Sequence, residues 1–110
     1  MAERRQFQDE RDTGVITQSK KRLKPPPLYK VLLHNDDYTT REFVVMILQA
    51  VFNKSETEAT QIMLHVHHNG VGVAGIYPYE IAETKAEKTM SWARKYEFPL
   101  RCTLEPETDE

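Results

Sequence analysis

Short apolar segments with two different periodicities organise the chain from Leu28 onwards. Some segments alternate apolar with polar side chains or form brief apolar runs, as β-strands do, and others repeat apolar side chains every three or four positions, as amphipathic helices do. We predict, in chain order, strand 28–34, helical residues 43–52, helical residues 59–66, strand 71–77, helical residues 82–93 and strand 100–104. This β-α-α-β-α-β order indicates an α+β fold, in which a small three-stranded antiparallel sheet packs against three helices.

Capping signals predict where the helices begin and end. Residues 39–42 (Thr-Thr-Arg-Glu) fit a capping box with Thr39 as the N-cap, and residues 55–58 (Ser-Glu-Thr-Glu) fit a second one. Gly70 follows the second helix and predicts its end, because glycine adopts the left-handed backbone that ends many helices. Pro78 is expected to open the third helix, since proline is tolerated in a first turn.

Composition predicts one folded domain between two tails. Residues 1–27 are expected to be a flexible N-terminal extension that ends in a Pro25–Pro27 spacer, because residues 1–24 contain few large apolar side chains. Residues 28–106 would form the domain, and residues 107–110 an acidic, frayed C-terminus. The chain has 110 residues, which is enough for one modest core.

Charge and apolar run length bear on the class of partner. Residues 1–24 hold seven Lys/Arg and four Asp/Glu, a net of +3, whereas residues 25–110 hold eight and thirteen, a net of −5. An acidic domain argues against nucleic acid as the main partner. The longest apolar run, Phe43–Leu48, is far shorter than the ~20 residues of a membrane helix. With the single cysteine, Cys102, expected to be buried, we predict a cytoplasmic protein.

Asn35, Asp36 and Asp37 bring an amide and two carboxylates to the junction between the first strand and the first helix. Carboxylates are favoured before a helix by the helix dipole, but two in succession exceed what capping needs. Such a cluster suits a small cation, which could be a metal ion or an amino group. On the second helix, His67 falls at the edge of the apolar stripe that contains Met63, so we expect it to be half-buried and able to join the cluster.

Besides binding an amino group, these residues are compatible with two further functions. His65, His67 and His68, with the carboxylates, could form a metal-binding module, although histidines at these spacings converge poorly on a helix. Asp36 and Asp37 could instead serve a small acid-dependent hydrolase. Paired catalytic carboxylates must converge across a substrate, however, and adjacent residues usually point apart. We therefore expect neither a catalytic residue nor a metal or other cofactor.

Several motifs, spread from about residue 28 to residue 105, resemble those of the ClpS family, the bacterial adaptors of the ClpAP protease. The matching segments are Asn35-Asp36-Asp37-Tyr38-Thr39, Glu42-Phe43-Val44, Met63-Leu64-His65-Val66-His67, Ala82-Glu83-Thr84-Lys85 and Pro99-Leu100. The resemblance implies a non-enzymatic adaptor in the bacterial cytoplasm. Such an adaptor binds the free N-terminus of proteins that begin with Leu, Phe, Tyr or Trp, which are called N-degrons, and delivers them to the ClpA unfoldase.

The resemblance also implies roles for individual residues. Asn35, Asp36 and His67 would accept hydrogen bonds from the substrate α-amino group. A hydrophobic pocket for the first side chain would be lined by Thr39, Arg41, Val44, Met63, Val66 and Leu100, with Asp37 near its rim. The N-terminal domain of the hexameric ClpA would contact Tyr38, Glu80 and Lys85. We expect a monomer that binds neither nucleic acid nor a membrane.

Two positions depart from the family pattern. Thr40-Arg41 stands where many members have a proline followed by a methionine that gates the pocket. The stem of Arg41 could still form a wall of the pocket while its charged head stays in water, so we predict an altered, narrower preference among the four first residues. Pro78 stands where a threonine is more usual, which is expected only to shift the start of the helix.

Overall fold

The computed structural model describes residues 25–108. Residues 1–24 of the predicted flexible extension lie outside this range, and so do residues 109–110 of the predicted C-terminal tail. The elements are β1 (Leu28–His34), α1 (Arg41–Ala50), α2 (Glu56–Asn69), β2 (Val71–Pro78), α3 (Tyr79–Lys95) and β3 (Arg101–Pro106). The predicted β-α-α-β-α-β order and the α+β class are confirmed.

The three strands form an antiparallel sheet with β1 at its centre, in the order β2-β1-β3. Leu33 of β1 lies opposite Gly72 of β2 and Cys102 of β3. Val31 and Leu33 are completely buried, as expected for alternate residues on the inner face of a central strand. Because β1 is paired on both sides, its end at His34 is held firmly beside the segment that leads into α1.

The helices supply the other layer. α1 packs on α2, α2 packs on β2, and α3 lies against all three strands. The predicted apolar stripe of α1 is buried, with Ile47 and Leu48 completely inaccessible to solvent. α3 buries mainly small side chains, including Ala82 and Ala93, which lets its backbone approach the sheet closely. The core therefore lies between the sheet and the three helices.

Two predicted helix starts need correction. Thr39 is not the N-cap of α1. Thr40 is the N-cap, and its hydroxyl accepts a hydrogen bond from the backbone N–H of Phe43 at 3.1 Å. Pro78 is both the last residue of β2 and the N-cap of α3, so that helix begins at Tyr79. In both cases the sequence pattern predicted the helix correctly, but it predicted the start of the helix one residue too early.

The predicted limits of α2 are confirmed. Ser55 and Glu58 form the expected capping box, in which each side chain accepts a hydrogen bond from the other residue's backbone N–H. Gly70 ends the helix in the left-handed region, at φ 90°, and its N–H donates to the carbonyl of Val66 at 2.8 Å. These two signals set the length of α2 and, with it, the place at which the chain returns to the sheet.

Burial keeps the thiol of the single cysteine, Cys102, protonated. Cys102 lies on β3 facing the core, as its alternation with polar neighbours predicted, and burial raises the pKa of its thiol to about 12. The thiolate is the nucleophilic form of cysteine, so this side chain is unsuited to nucleophilic chemistry. No helix among residues 25–108 is long and apolar enough to cross a membrane.

Candidate functional site

A cavity of about 440 Å³ opens where the loop between β1 and α1 meets the last turns of α2. We call it the junction cavity. Its lining consists of Asn35, Asp36, Asp37, Tyr38, Thr39, Thr40, Arg41, Glu42, Val44, Met63, Val66 and His67. Its size lies within the range of ~300–1,000 Å³ that is usual for small-molecule sites. It therefore brings together a polar loop, the first turn of α1 and the C-terminal half of α2.

A backbone contact holds the two sides of the junction cavity together. The N–H of Asn35, just after β1, donates to the carbonyl of Gly70, just after α2, at 2.9 Å. Gly70 is in turn bonded to Val66, one of the residues that line the cavity. The end of the central strand is thus tied to the end of α2, which sets Asn35 and the last turn of α2 beside the same opening.

The Asp36 carboxylate organises the loop. One of its oxygens accepts hydrogen bonds from the backbone N–H groups of Tyr38 and Thr39, both at 2.7 Å, and the other accepts from the Thr39 hydroxyl at 2.8 Å. Partial burial alone would raise the pKa of Asp36, but these three hydrogen bonds outweigh it and hold the pKa below its ordinary value. Asp36 is therefore a fixed negative charge at the opening, and the oxygen that accepts only from the Thr39 hydroxyl retains a lone pair for a further donor.

Apolar side chains form the wall of the junction cavity. Val44 from α1 and Met63 and Val66 from α2 are nearly buried and belong to the hydrophobic core, yet each also lines the cavity. Gly72 of β2 supports this wall from behind, because a Cβ atom at that position would lie 2.7 Å from a methyl group of Val66. Only glycine allows β2 and α2 to approach this closely, and the cavity thus has an apolar inner surface below a polar rim.

His67 lies at the opening but is more exposed than expected. The sequence predicted a half-buried ring, whereas the residue is exposed in the last turn of α2. Its Nε2 atom lies 2.9 Å from Nη2 of Arg41, the first residue of α1. The ring is also in edge contact with His68, with ring centroids 5.3 Å apart. His67 thus reaches the same cavity as Asn35 and Asp36, and its Nε2 atom bonds across the opening to Arg41.

Arg41 borders the junction cavity and also a second, more apolar cavity of about 370 Å³. The second cavity shares Arg41, Glu42 and Met63 with the first, and its other lining residues are Val45, Met46 and Gln49. Arg41 is thus both a shared border of the two cavities and the hydrogen-bond partner of His67 on the opposite helix.

The comparisons with known proteins agree with this architecture. The family model described as "ATP-dependent Clp protease adaptor protein ClpS" matches residues 24–103. The chain belongs to the ClpS family. A ClpS adapter from Myxococcus xanthus (strain DK1622) is 64% identical over 100 residues, which cover 89% of this chain and 94% of that protein. A ClpS adapter from Caulobacter vibrioides (strain NA1000 / CB15N) is 52% identical over 107 residues, covering 96% of this chain and 98% of that protein.

A solved structure is similar over the whole of its own chain. It is Agrobacterium tumefaciens ClpS2 bound to L-phenylalaninamide, which has 46% sequence identity and a TM-score of 0.73. The match covers 76% of the present chain and 100% of the ClpS2 chain. ClpS proteins are adaptors of the Clp protease and not enzymes, so membership confirms the prediction of a non-enzymatic protein and leaves the acid-dependent hydrolase without support.

Most residues that the sequence singled out for substrate binding surround the junction cavity. The lining includes Asn35, Asp36 and His67 and, from the predicted pocket, Asp37, Thr39, Arg41, Val44, Met63 and Val66. Leu100 is different, since it is buried in the core and does not line this cavity. The binding roles of all ten residues remain predictions.

Sequence reasoning missed two residues of the lining. Thr40 and Glu42 border the cavity, Thr40 as the true N-cap of α1 and Glu42 in its first turn. The signal was present in the Thr-Thr pair, but the pattern alone did not tell which hydroxyl caps the helix. The structure decides this because the Thr39 hydroxyl is already bonded to Asp36.

The three residues predicted to contact ClpA lie on two elements. Tyr38 is 77% exposed in the loop after β1 and also lines the junction cavity. Glu80 is exposed in the first turn of α3. Lys85, also on α3, is only half-exposed, because its Nζ donates to the carbonyl of Val51 at 2.7 Å and lies 5.2 Å from the ring centroid of Tyr77. Lys85 therefore caps the C-terminal end of α1, whatever else it contacts.

The histidines of α2 take separate partners. Asn69 makes a side-chain contact of 3.1 Å with His65, while His67 is bonded to Arg41. Within residues 25–108, no three His, Cys, Asp or Glu side chains are grouped in a way that could hold a metal ion.

Proposed function

We propose that the junction cavity binds the free N-terminus of proteins that begin with Leu, Phe, Tyr or Trp, and that the chain delivers these proteins to the ClpA unfoldase of the ClpAP protease. One observation carries the proposal: polar acceptors and an apolar wall meet at one opening. Asn35, Asp36 and His67 offer acceptors at the rim, and Val44, Met63 and Val66 form the wall. A protein N-terminus with a large apolar first residue has the complementary chemistry.

The α-ammonium group offers three N–H donors and one positive charge. Asn35 supplies an amide oxygen, Asp36 a carboxylate oxygen, directly or through a water molecule, and His67 a ring nitrogen. The hydrogen bonds that lower the pKa of Asp36 support this assignment, because they hold a carboxylate in a fixed position at the opening, where it attracts a cation. An acetylated N-terminus has neither the charge nor the three donors, so it should not bind.

The first side chain of the substrate enters the apolar part of the cavity. The ligand of the Agrobacterium ClpS2 structure supports this orientation by analogy. L-Phenylalaninamide carries a free ammonium and a benzyl side chain, and its amide stands for the first peptide bond of a longer chain. Burying a Leu or Phe side chain contributes about 1.5–3 kcal/mol. Charge-assisted hydrogen bonds add about 1.5–3 kcal/mol each before desolvation, so the sum fits micromolar or tighter binding.

Fluorescence anisotropy tests the proposal. Peptides that begin with Leu, Phe, Tyr or Trp and have a free amino group should bind, and the same peptides with an acetylated N-terminus should not. Arg41 should make the preference among the four narrower than in the Arg41→Met variant, because the arginine borders the cavity. Equal binding of free and acetylated peptides would refute recognition of the amino group. Equal rankings by the two proteins would refute the role of Arg41 in selectivity.

We propose that delivery to ClpA takes place in the bacterial cytoplasm. A separate experiment tests the contact with ClpA. Isothermal titration with the isolated N-terminal domain of ClpA should show about tenfold weaker binding for Glu80→Lys and Tyr38→Ala. Glu105→Lys makes the same charge reversal on β3, also at an exposed residue, and serves as the control. Lys85→Met is a poor probe of this contact because it also removes the hydrogen bond to Val51. Unchanged affinity of both test variants would show that ClpA docks elsewhere.

A further inference from the structure

The contact between Arg41 and His67 crosses the opening of the junction cavity. It joins the first residue of α1 to the last turn of α2, which are 26 residues apart in the sequence. Both side chains are exposed and both line the cavity. The 2.9 Å distance between Nη2 and Nε2 is that of a hydrogen bond.

The chemistry of the two groups sets the direction of this hydrogen bond. A guanidinium has only N–H donors and no acceptor, and it remains charged at all ordinary pH values. The Nε2 atom of His67 must therefore be the acceptor, so its lone pair points at Arg41. The ring is then neutral, with its single proton on Nδ1.

We propose that Arg41 is an internal competitor for the acceptor that the substrate ammonium needs. This inference rests on the proposed function, which uses the same Nε2 lone pair. An arriving ammonium would have to displace the guanidinium from His67, whereas Asn35 and Asp36 make no such contact with Arg41. An N-terminus that binds with all three acceptors must therefore take the place of the guanidinium at Nε2 of His67.

The exposure of the contact determines the size of the effect. A hydrogen bond between exposed groups exchanges readily with water, so its loss costs little, and the guanidinium and ammonium also repel each other through their like charges. We expect Arg41 to lower the affinity for every free-amino peptide by roughly threefold to tenfold. Part of this penalty should diminish at high salt, since the charges are exposed.

Two measurements on the whole chain test the inference, with Arg41→Met as the variant. The first is long-range ¹H–¹⁵N NMR of His67 in the ligand-free protein, at a pH where histidine is neutral. The unsubstituted protein should show one tautomer, with the proton on Nδ1, and the variant should show a changed tautomer population. The second is the anisotropy titration with a free-amino Phe peptide, for which the variant should bind roughly threefold to tenfold tighter.

Arg94→Met is the matched control. Arg94 is also exposed and also on a helix, so the change removes the same charge and adds the same side chain away from the cavity. It should leave both the His67 signals and the peptide affinity unaltered. If peptides bind but Arg41→Met alters neither the tautomer nor the affinity, the inference is wrong and the proposed function stands. If no free-amino peptide binds to any of the proteins, the proposed function fails, and the inference that rests on it fails with it.

Discussion

Asp36 and His67 both face the junction cavity, yet the protein holds them in different ways. Asp36 accepts three hydrogen bonds from residues two and three positions further on, and its carboxylate is partly buried. His67 is exposed and is bonded to Arg41 across the opening. One side of the cavity is therefore built into the fold, and the other carries an exposed contact that solvent or a ligand can replace.

The difference shows how a small binding site can be both specific and adjustable. A rigid acceptor loses little entropy when a ligand binds, so the Asp36 side can supply orientation. The His67 side can instead set affinity, because its acceptor must first be released. Substitutions on the Asp36 side should therefore affect stability more than substitutions on the His67 side.

Replacing Asp36 should have the largest effect. Asp36→Ala removes all three hydrogen bonds and leaves the N–H groups of Tyr38 and Thr39 without this acceptor, so the free energy of unfolding should fall by about 2–3 kcal/mol. Peptide binding should be lost as well. Asp37→Ala, at the exposed neighbour, should cost about 0.5 kcal/mol or less in urea unfolding. Equal effects of the two substitutions would show that the hydrogen bonds do not hold the loop.

The low pKa of Asp36 gives this stabilisation a pH dependence. A carboxyl group whose pKa is lowered by folding stabilises the protein above its unfolded-state value of ~3.9, and this contribution is lost as the pH falls through the folded-state value. The stability difference between the unsubstituted protein and Asp36→Asn should therefore be constant near neutral pH and shrink below about pH 4. A difference that grows on acidification would mean that the pKa is raised instead.

Gly72→Ala should have the next largest effect on stability, because Gly72 packs directly against Val66 in the apolar wall of the cavity. The new methyl group would lie 2.7 Å from Val66, so α2 or β2 must shift, at a cost of about 1–2 kcal/mol in unfolding experiments. Since Val66 lines the cavity, peptide affinity should fall too. Gly70→Ala is the comparison: its Cβ would meet nothing within 4 Å, and its cost comes only from the positive φ. It should destabilise the protein while affecting peptide binding less.

Thr40→Ala should reduce the stability by about 1 kcal/mol, because it removes the N-cap of α1. Thr40→Ser keeps the hydroxyl and should restore most of the loss in thermal or urea unfolding. A Thr40→Ala protein as stable as the original would indicate that another group caps the helix.

Arg41→Met should have the smallest effect on stability, about 0.5 kcal/mol or less, because its contact with His67 is exposed. If Arg41→Met lowered the free energy of unfolding as much as Asp36→Ala does, the two sides of the cavity would not differ as we infer. The contact between Arg41 and His67 would then stabilise the fold as much as the hydrogen bonds of Asp36 do.

The patterns of the sequence were sufficient for the elements and for much of the site. Alternation and helical spacing placed six elements in the right order, and Ser55, Glu58 and Gly70 set the limits of α2 because capping depends on residues only a few positions apart. The same local logic placed the Asn35–Asp37 cluster at the end of a strand. The prediction that Thr39 caps α1 was wrong because the Thr39 hydroxyl donates a hydrogen bond to Asp36, which leaves Thr40 as the N-cap.

What the chain determined by itself is therefore whatever arises from neighbouring residues: the periodicity of each element, the caps, and the polar cluster after β1. The tertiary structure alone decided which distant side chains meet. It exposed His67, left Leu100 out of the cavity lining and set Arg41 against an acceptor 26 residues away. Such contacts depend on how α1 and α2 pack, and no spacing along the sequence encodes the distance between two side chains on different helices.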